Sequence, residues 1–317
     1  MKHKSLVQPS TKAFTEEAHC MPDYSLFDLV HGYVYSRWPY LYIGIGTGEH
    51  WLARLLWPVV RVLARLFPTR PKEDRVTFAD TYHGKVVPLE QATHLVTVNE
   101  EIHITDLEKI IPYALARDII LQNPGHIVAL DCPCRSARPD PCLPLDVCLI
   151  IGEPFASFVA DHHPRRSHWI RPDEAVDILR AENERGHVHH AFFKDAMLGR
   201  FYAICNCCAC CCGAMQAHRN GTPMLASSGY VSRVDTDLCV GCGLCTEACQ
   251  FGALEMREEN VMVNSAACMG CGVCISQCAQ GALALVRDPA KGEPLEIRQL
   301  IAAAAGQNNS RATFTHS

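Results

Sequence analysis

The chain has 317 residues, of which 48% are hydrophobic, and a formal net charge of −5 at pH 7. This length allows two domains with buried cores, and the slightly acidic balance gives no general case for nucleic-acid binding. No stretch approaches the length of an uncharged apolar transmembrane helix, and the polar N-terminus lacks the apolar core of a signal peptide. The 19 cysteines therefore indicate bound metal in a reducing cytoplasm rather than disulfides.

Residues 1–78 are predicted to form an aromatic and amphipathic N-terminal region, polar and mobile over its first 21 residues. Apolar residues recur at three- and four-residue steps between Glu49 and Phe67, which predicts an amphipathic helix that Pro58 kinks. One interpretation is a docking helix buried against the rest of the protein. The arginines of this segment, with Trp51 and Trp57, also suit peripheral contact with an anionic membrane or a partner subunit.

Three glycines, Gly44, Gly46 and Gly48, precede that helix. A strand, a glycine turn and a helix N-terminus together can cradle a pyrophosphate. The spacing here is G-x-G-x-G rather than G-x-G-x-x-G, and no strand-ending acid follows about 20 residues later. We therefore favour a simple tight turn over a nucleotide site.

Residues 79–230 are predicted to form a cysteine-rich domain of α/β type. The β-branched pattern of Thr93 to Val98 predicts a strand, and a capping box at Thr105 predicts a helix towards Leu121. Residues 126–130 read as a buried strand, and residues 172–185, followed by Gly186, read as a helix.

Ten cysteines of this domain fall in two groups, one of which has six thiols within eight residues. Exposed thiols at that density would oxidise and scramble, so a metal-binding role is favoured. Neighbouring cysteines point in different directions, so one group can serve two sites. The predicted metal ligands are Cys132, Cys134, Cys142, Cys148, Cys205, Cys207, Cys208, Cys210, Cys211 and Cys212.

Two further iron–sulfur clusters are the favoured interpretation of these ten thiols, with one further cluster and zinc left open. Arg135 is either a hydrogen-bond donor to cluster sulfur or a solvated side chain, and Cys20 stands alone. Six histidines between the two groups are predicted to be mostly solvated rather than ligands. They are His162, His163, His168, His187, His189 and His190.

A repeat of Cys-x2-Cys-x2-Cys-x3-Cys occupies residues 231–288. Eight cysteines in two matching registers predict two [4Fe–4S] clusters, and zinc modules do not run four ligands in one short turn. The fourth cysteine of each half begins a helix and cannot fold back to the same cube, so it ligates the other cluster. The predicted sets are Cys239, Cys242, Cys245 and Cys278 for one cluster, and Cys268, Cys271, Cys274 and Cys249 for the other.

This repeat resembles the bacterial two-[4Fe–4S] ferredoxin family, except that Gln250 and Ala279 stand where the family has proline after the fourth cysteine. Together with the upstream Cys-x-Cys-Arg and CNCC-x-CCC motifs, it also resembles a group of bacterial ferredoxin-domain proteins over residues 125–288. The resemblance implies a ferredoxin-type fold and cluster binding, and it implies no particular activity.

The chain is therefore predicted to be an α+β protein: an N-terminal amphipathic helix, a cysteine-rich domain, a two-cluster ferredoxin domain, and a tail over residues 289–317 that is disordered after Gly306. The favoured function is electron transfer between a redox protein partner, two ferredoxin-type clusters and further clusters in the middle domain. The alternatives are an oxidoreductase with a substrate-binding cluster in that domain, and a zinc-stabilised interaction module fused to a ferredoxin. No nucleophile-elbow, zinc-protease or P-loop motif is present, so no catalytic residue is predicted.

Overall fold

A computed structural model describes residues 7–21, 24–53, 55, 77–105 and 107–314, and it mixes helices and strands. The helices are α1 (Pro9–His19), α2 (Leu26–Arg37), α3 (Pro39–Gly46), α4 (Phe78–Thr81), α5 (Leu89–Val96), α6 (Pro133–Ser136), α7 (Phe155–His162), α8 (Pro172–Glu184), α9 (Gly213–Arg219), α10 (Leu244–Ala248), α11 (Val273–Ser276) and α12 (Ile297–Phe314). The strands are β1 (Tyr82–Val87), β2 (Ile102–Ile104), β3 (Ile119–Leu130), β4 (Cys148–Glu153), β5 (Ser167–Ile170), β6 (Val188–Lys194), β7 (Arg200–Cys207), β8 (Leu225–Ala226), β9 (Tyr230–Val234), β10 (Leu254–Arg257), β11 (Asn260–Val263) and β12 (Leu283–Arg287).

Eight of these strands form one sheet in the order β2-β3-β4-β7-β6-β1-β8, with β5 also paired to β3. Every pair is antiparallel except β1 and β8. All seven residues of β6 are buried, as expected for a central strand covered on both faces.

Helices cover both faces of this sheet and bury two separate apolar cores. One core contains Leu95 of α5, Leu179 of α8 and Ile297 of α12. The other contains Phe14 of α1 and Phe158 of α7, together with several cysteines of the middle domain. The cysteine chemistry therefore belongs to one face of the sheet, the face that α1, α2, α3 and α7 cover.

The ferredoxin repeat folds into two antiparallel strand pairs and two short helices: β10 and β11 form a hairpin, and β9 pairs with β12 from the opposite end of the repeat. It contacts helix α8 through polar groups of its own second half. Ser276 Oγ donates to Asn183 Oδ1 at 2.5 Å, and Gln277 Nε2 donates to the carbonyl of Glu184 at 3.0 Å. The second half of the repeat therefore lies against the middle domain.

Two elements of the middle domain differ from the sequence prediction. Thr93 to Val96 belong to helix α5 rather than to a strand, because Ala92, Leu95 and Val96 pack on one helical face against the core. The prediction of a helix after Thr105 is also wrong: residues 107–118 form turns and bends, and Ile119 begins strand β3. The predicted strand at residues 126–130 and the predicted helix at residues 172–185 are confirmed.

The chain termini also depart from expectation. Residues 9–19, predicted to be mobile, form α1, whose Phe14 and Ala18 are buried, and α12 continues past Gly306 to Phe314. Gly44 and Gly46 lie inside α3, so the tight turn expected there is wrong and the strand-turn-helix of a nucleotide site is absent; Gly48, with φ 80°, lies in the turn after the helix. The predicted helix of residues 49–67 lies largely outside the described residues. No helix within the described ranges is long and apolar enough to cross a bilayer.

Candidate metal centres

Two small cavities of about 20 Å³ lie within the ferredoxin repeat, and the cysteines lining them fall into the two predicted sets. Each cavity takes three cysteines from one half of the repeat and the fourth from the other half. The outer cavity is lined by Cys239, Cys242, Cys245 and Cys278, and the inner cavity by Cys249, Cys268, Cys271 and Cys274.

Glycines with positive φ curl the chain around each cavity. Gly241 has φ 64° and Gly270 has φ 65°. A Cβ at these positions would overlap the backbone of Glu259 and Tyr230 respectively, so a larger residue would push the cysteine loop away from that backbone. The two loops therefore use glycine for the same reason in both halves.

Backbone amides donate to the fourth cysteine of each half. Ala253 N lies 3.2 Å from Cys249 Sγ, and Ala282 N lies 3.3 Å from Cys278 Sγ. Such amides stabilise thiolate charge, which is what an iron–sulfur cluster requires of its ligands. The donor set and the amide bonds fit a [4Fe–4S] cluster in each cavity.

The inner cavity has an additional polar neighbour, Ser232. Its amide donates to Cys268 Sγ at 3.5 Å, and its hydroxyl accepts from the Cys274 thiol at 3.4 Å. Once metal binding removes the thiol proton, the same hydroxyl can donate to the Cys274 sulfur. Burial raises the pKa of Cys271 to about 12, so this thiol keeps its proton until a metal displaces it. The inner site is therefore both more buried and richer in hydrogen bonds to sulfur.

The inner cavity also connects to the middle domain. Met269 and Val273, which line it, pack in the same apolar core as Cys207 and Cys212. Gln250, directly after Cys249, accepts a hydrogen bond from the amide of Ala209 at 2.8 Å. Gln250 thus holds the second cysteine group of the middle domain.

The structure divides the ten middle-domain cysteines into a set of six and a set of four. The six, which we call the six-thiol set, line an apolar cavity of about 70 Å³ on the cysteine face of the sheet. Successive members are in contact in the order Cys205, Cys148, Cys132, Cys134, Cys212 and Cys207.

Strand pairing explains how the six-thiol set forms. Cys148 of β4 and Cys205 of β7 are register partners, and their sulfurs lie 3.3 Å apart. Cys207 ends β7, and its sulfur lies 3.3 Å from that of Cys212 at the start of α9. Contact with neighbouring thiols, together with burial, raises the pKa of Cys132 to about 12, so metal binding here must release protons.

Aromatic residues that the sequence analysis did not assign to the site also line this cavity. The phenol oxygens of Tyr35 and Tyr202 share a hydrogen bond of 2.7 Å, and Tyr82 lies beside them. Lys194 Nζ lies 4.9 Å from the ring centre of Tyr35 and 5.0 Å from that of Tyr82. Burial lowers the pKa of Lys194 to about 8. In the sequence, Tyr35 belongs to the aromatic run that ends at Tyr42. No spacing rule links that run to the cysteines, so the sequence did not predict this lining.

The Arg135 side chain is buried, and none of its hydrogen bonds within the described residues goes to a cysteine sulfur, although the Arg135 backbone amide donates to Cys132 Sγ. The side chain is 1% exposed and pairs with buried Glu182 at 2.5 Å, while also contacting His187 Nδ1 at 3.0 Å and donating to the carbonyl of Asn206 at 3.0 Å. Its Nε is buried without a hydrogen-bond partner, and the side chain lines the six-thiol cavity. The unpartnered Nε–H of Arg135 at the cavity wall can donate to an anionic group bound in the six-thiol cavity.

The histidines differ from the prediction of solvated side chains. His163, His187, His189 and His190 are buried, whereas His168 is exposed. Burial lowers the pKa of His189 to about 4 and that of His190 to about 3, so both are neutral. Among the described residues, no histidine joins a group of three or more converging ligand atoms.

The remaining four cysteines form what we call the four-thiol set: Cys142, Cys208, Cys210 and Cys211. Their sulfurs all lie within 4.8 Å of one another. Cys142 comes from the loop after α6, and the others come from the turn between β7 and α9. Cys20 is exposed and joins no set.

Comparison with known proteins supports the C-terminal part of this description. Residues 232–255 match the family described as the 4Fe-4S binding domain, which indicates a ferredoxin-type iron–sulfur domain with a [4Fe–4S] cluster. The match spans the first half of the repeat. Searches of curated proteins and of solved structures gave no match.

Proposed function

We propose that this protein is an iron–sulfur electron-transfer protein with two [4Fe–4S] clusters in residues 231–288 and a third cluster in the cysteine-rich domain of residues 79–230. The observation that carries the proposal is the pair of four-cysteine cavities in the repeat, each completed by a cysteine from the opposite half. A [4Fe–4S] cluster supplies a one-electron couple, and complete cysteine ligation favours a relay over catalysis at these two sites.

The positions of the three sites support an order in which electrons would pass between them. The outer cavity includes exposed Cys242, whereas the inner cavity shares an apolar core with the six-thiol set. Gln250 and Ala209 provide a hydrogen bond between the loop of Cys249 and the second cysteine group. A partner would therefore exchange electrons at the outer cavity, and the middle domain would lie at the other end.

The six-thiol set supports a third cluster on donor chemistry and size. Six thiols exceed the four that one cube needs, and the cavity of about 70 Å³ is larger than each cavity of about 20 Å³ in the repeat. The unpartnered Nε of Arg135 offers a hydrogen bond to an anionic cluster.

Metal and sulfide counts test this proposal. The full chain, purified without oxygen, should contain about 12 iron and 12 labile sulfide atoms per chain, with three one-electron signals on reductive titration by EPR. About eight iron atoms would overturn the third cluster, and four or fewer would overturn the two-cluster repeat. Cys20→Ser is the matched control because Cys20 is exposed and lies outside the three sites.

A second function is favoured by the apolar six-thiol cavity. A four-iron cluster bound by four of the six thiols would leave two thiols and the phenols of Tyr35, Tyr82 and Tyr202 facing the remaining space. That arrangement suits reduction of a small molecule by electrons from the repeat. A change in the EPR signal of the third cluster on adding such a molecule, lost in Tyr202→Phe, would favour the reductase. Insensitivity of that signal to added small molecules would favour the relay.

A further inference from the structure

The four-thiol set has the dimensions of a site for one metal ion. Cys142 and Cys210 sulfurs lie 3.2 Å apart, Cys210 and Cys211 sulfurs lie 3.5 Å apart, and all four lie within 4.8 Å. A tetrahedral zinc ion with Zn–S bonds of about 2.3 Å places its ligand sulfurs about 3.8 Å apart. The Cys142–Cys210 and Cys210–Cys211 sulfur pairs lie a few tenths of an ångström inside that value, and no pair of the four exceeds 4.8 Å.

The two ferredoxin cavities provide a comparison within the same molecule. A four-iron cube holds its cysteines at its outer corners, so their sulfurs are farther apart than the ligands of one ion. Among the described residues, the four-thiol set is the one group of three or more ligand atoms that all lie within 4.8 Å of one another. No three cysteine sulfurs of the ferredoxin repeat are that close together. The four-thiol set is therefore too compact for a cube and suited to a single ion.

The loop that supplies three of the ligands is held by hydrogen bonds from outside it. Arg138 donates to the carbonyl of Cys211 at 3.2 Å, Gln216 donates to that of Cys210 at 3.3 Å, and Arg219 donates to that of Ala209. Within the loop, the amide of Cys211 donates to Cys208 Sγ. These contacts fix the loop geometry before a metal binds.

Charge at the loop also fits a metal–thiolate centre. Four thiolates around a divalent ion carry a net charge of −2, and the guanidinium groups of Arg138 and Arg219 both bond to the loop. Arg138 is itself paired with Glu49, so it is held in place. The two arginines lower the cost of placing this charge beside the apolar cavity.

We propose that Cys142, Cys208, Cys210 and Cys211 bind one Zn²⁺ ion that is separate from the electron-carrying sites. All-sulfur tetrahedral coordination with no open position is typical of structural zinc. Because Cys208 and Cys211 also line the six-thiol cavity, the ion ties the loop of Cys142 across one wall of that cavity. The inference stands independently of the clusters proposed above.

Zinc and iron counts on the full chain, purified without oxygen, test this inference. We expect one zinc per chain, and an X-ray absorption spectrum at the zinc edge with four sulfur neighbours at about 2.3 Å. Cys142→Ser with Cys210→Ser removes the two more exposed ligands and should eliminate the zinc while leaving iron and labile sulfide unchanged. Cys20→Ser should retain the zinc.

The outcomes separate this inference from the proposed function. Absence of zinc from the wild-type protein, iron in its place, or nitrogen and oxygen neighbours in the absorption spectrum would overturn it. Parallel loss of iron and labile sulfide in the double variant would also overturn it, because the four cysteines would then ligate a cluster. If the double variant does not fold, the wild-type zinc count and absorption spectrum still decide. The wild-type iron count tests the relay separately.

Discussion

At the scale of single residues, Ser232 distinguishes the two ferredoxin cavities. At the inner cavity Gly270 lies against the backbone of Tyr230, and at the outer cavity Gly241 lies against that of Glu259. The residues two positions after these contacts, Ser232 and Val261, are therefore equivalent in the two halves. Ser232 lines the inner cavity and contacts two of its cysteine sulfurs, whereas Val261 lines the outer cavity. Hydrogen bonds to sulfur raise the reduction potential of a cluster, so the inner site should be the better electron acceptor.

Ser232→Val should therefore lower the reduction potential of the inner cluster. Loss of one hydrogen bond worth about 1 kcal/mol corresponds to roughly 40 mV for a one-electron couple. The reciprocal change, Val261→Ser, should raise the potential of the outer cluster by a similar amount. An EPR-monitored redox titration measures both, and unchanged potentials in both variants would contradict the assignment.

Gln250 is a second residue whose role is specific to this chain. Gln250→Pro removes the acceptor for Ala209 N. We expect a loss of about 1 kcal/mol in the free energy of unfolding, measured by anaerobic denaturant unfolding. Ala279→Pro is the matched control, because it makes the same change in the other half, where the exposed Ala279 holds no such bond. Equal destabilisation by the two variants would argue against the Gln250 contact.

At the scale of elements, strand β1 anchors the segment that follows the ferredoxin repeat. Lys85, 1% exposed, donates from Nζ to the carbonyl of Glu293 at 2.7 Å. Burial lowers the pKa of Lys85 from 10.5 to about 7. Between these two pH values the unfolded chain keeps a proton on Lys85 that the folded chain has released, so the free energy of unfolding should rise with pH. Below pH 7 Lys85 is charged in both states, and the cost of burying its charge is fully present.

Replacement of this lysine isolates its contribution to stability. Between pH 7 and 10, the free energy of unfolding of the wild type should increase relative to that of Lys85→Met, with a slope of up to about 1.4 kcal/mol per pH unit. Lys291→Met is the control, since Lys291 also donates to a carbonyl, that of Ala266, but is only half-buried. Parallel pH profiles for wild type and Lys85→Met would show that Lys85 does not titrate in this range.

At the scale of the whole molecule, exposed apolar side chains lie at the outer cavity, and the ferredoxin repeat that contains the cavity is acidic. Val240, which lines the cavity, is 66% exposed, and Leu244 is 53% exposed. Residues 233–288 contain seven Asp or Glu and three Arg, a net charge of 3 − 7 = −4. A basic redox protein should therefore be attracted to this end of the molecule.

Electron transfer to a basic c-type cytochrome tests this surface. The second-order rate should fall as salt increases from 0.05 to about 0.5 M, because screening shortens the range of attraction. Asp237→Lys together with Glu247→Lys should lower the rate at low salt by roughly tenfold and flatten its salt dependence. Asp177→Lys, a charge reversal at an exposed position of helix α8, should leave the rate nearly unchanged. Equal effects of the two sets of reversals would indicate a general charge effect rather than a docking surface.

The sequence by itself determined which cysteines come together where the cysteines are close along the chain. The repeat of Cys-x2-Cys-x2-Cys-x3-Cys predicted the two sets of four cysteines that line the outer and inner cavities, because short glycine-rich loops leave few arrangements of the chain. The strand at residues 126–130 and helix α8 followed from apolar periodicity and Gly186. By contrast, Thr93 to Val96 became helical through packing against the core, which no local propensity encodes.

Only the tertiary structure decided how the ten middle-domain thiols divide. Adjacent residues Cys207 and Cys208 belong to different sets, and so do Cys211 and Cys212, because β7 ends and α9 begins within this loop. Cys142 joins the four-thiol set across 68 residues of chain from Cys210. Composition and spacing predict that such thiols bind metal, but strand register and the turn between β7 and α9 determine which sulfurs meet. That is why the sequence predicted which cysteines bind metal, whereas the fold separated the compact four-thiol set from the six-thiol cavity.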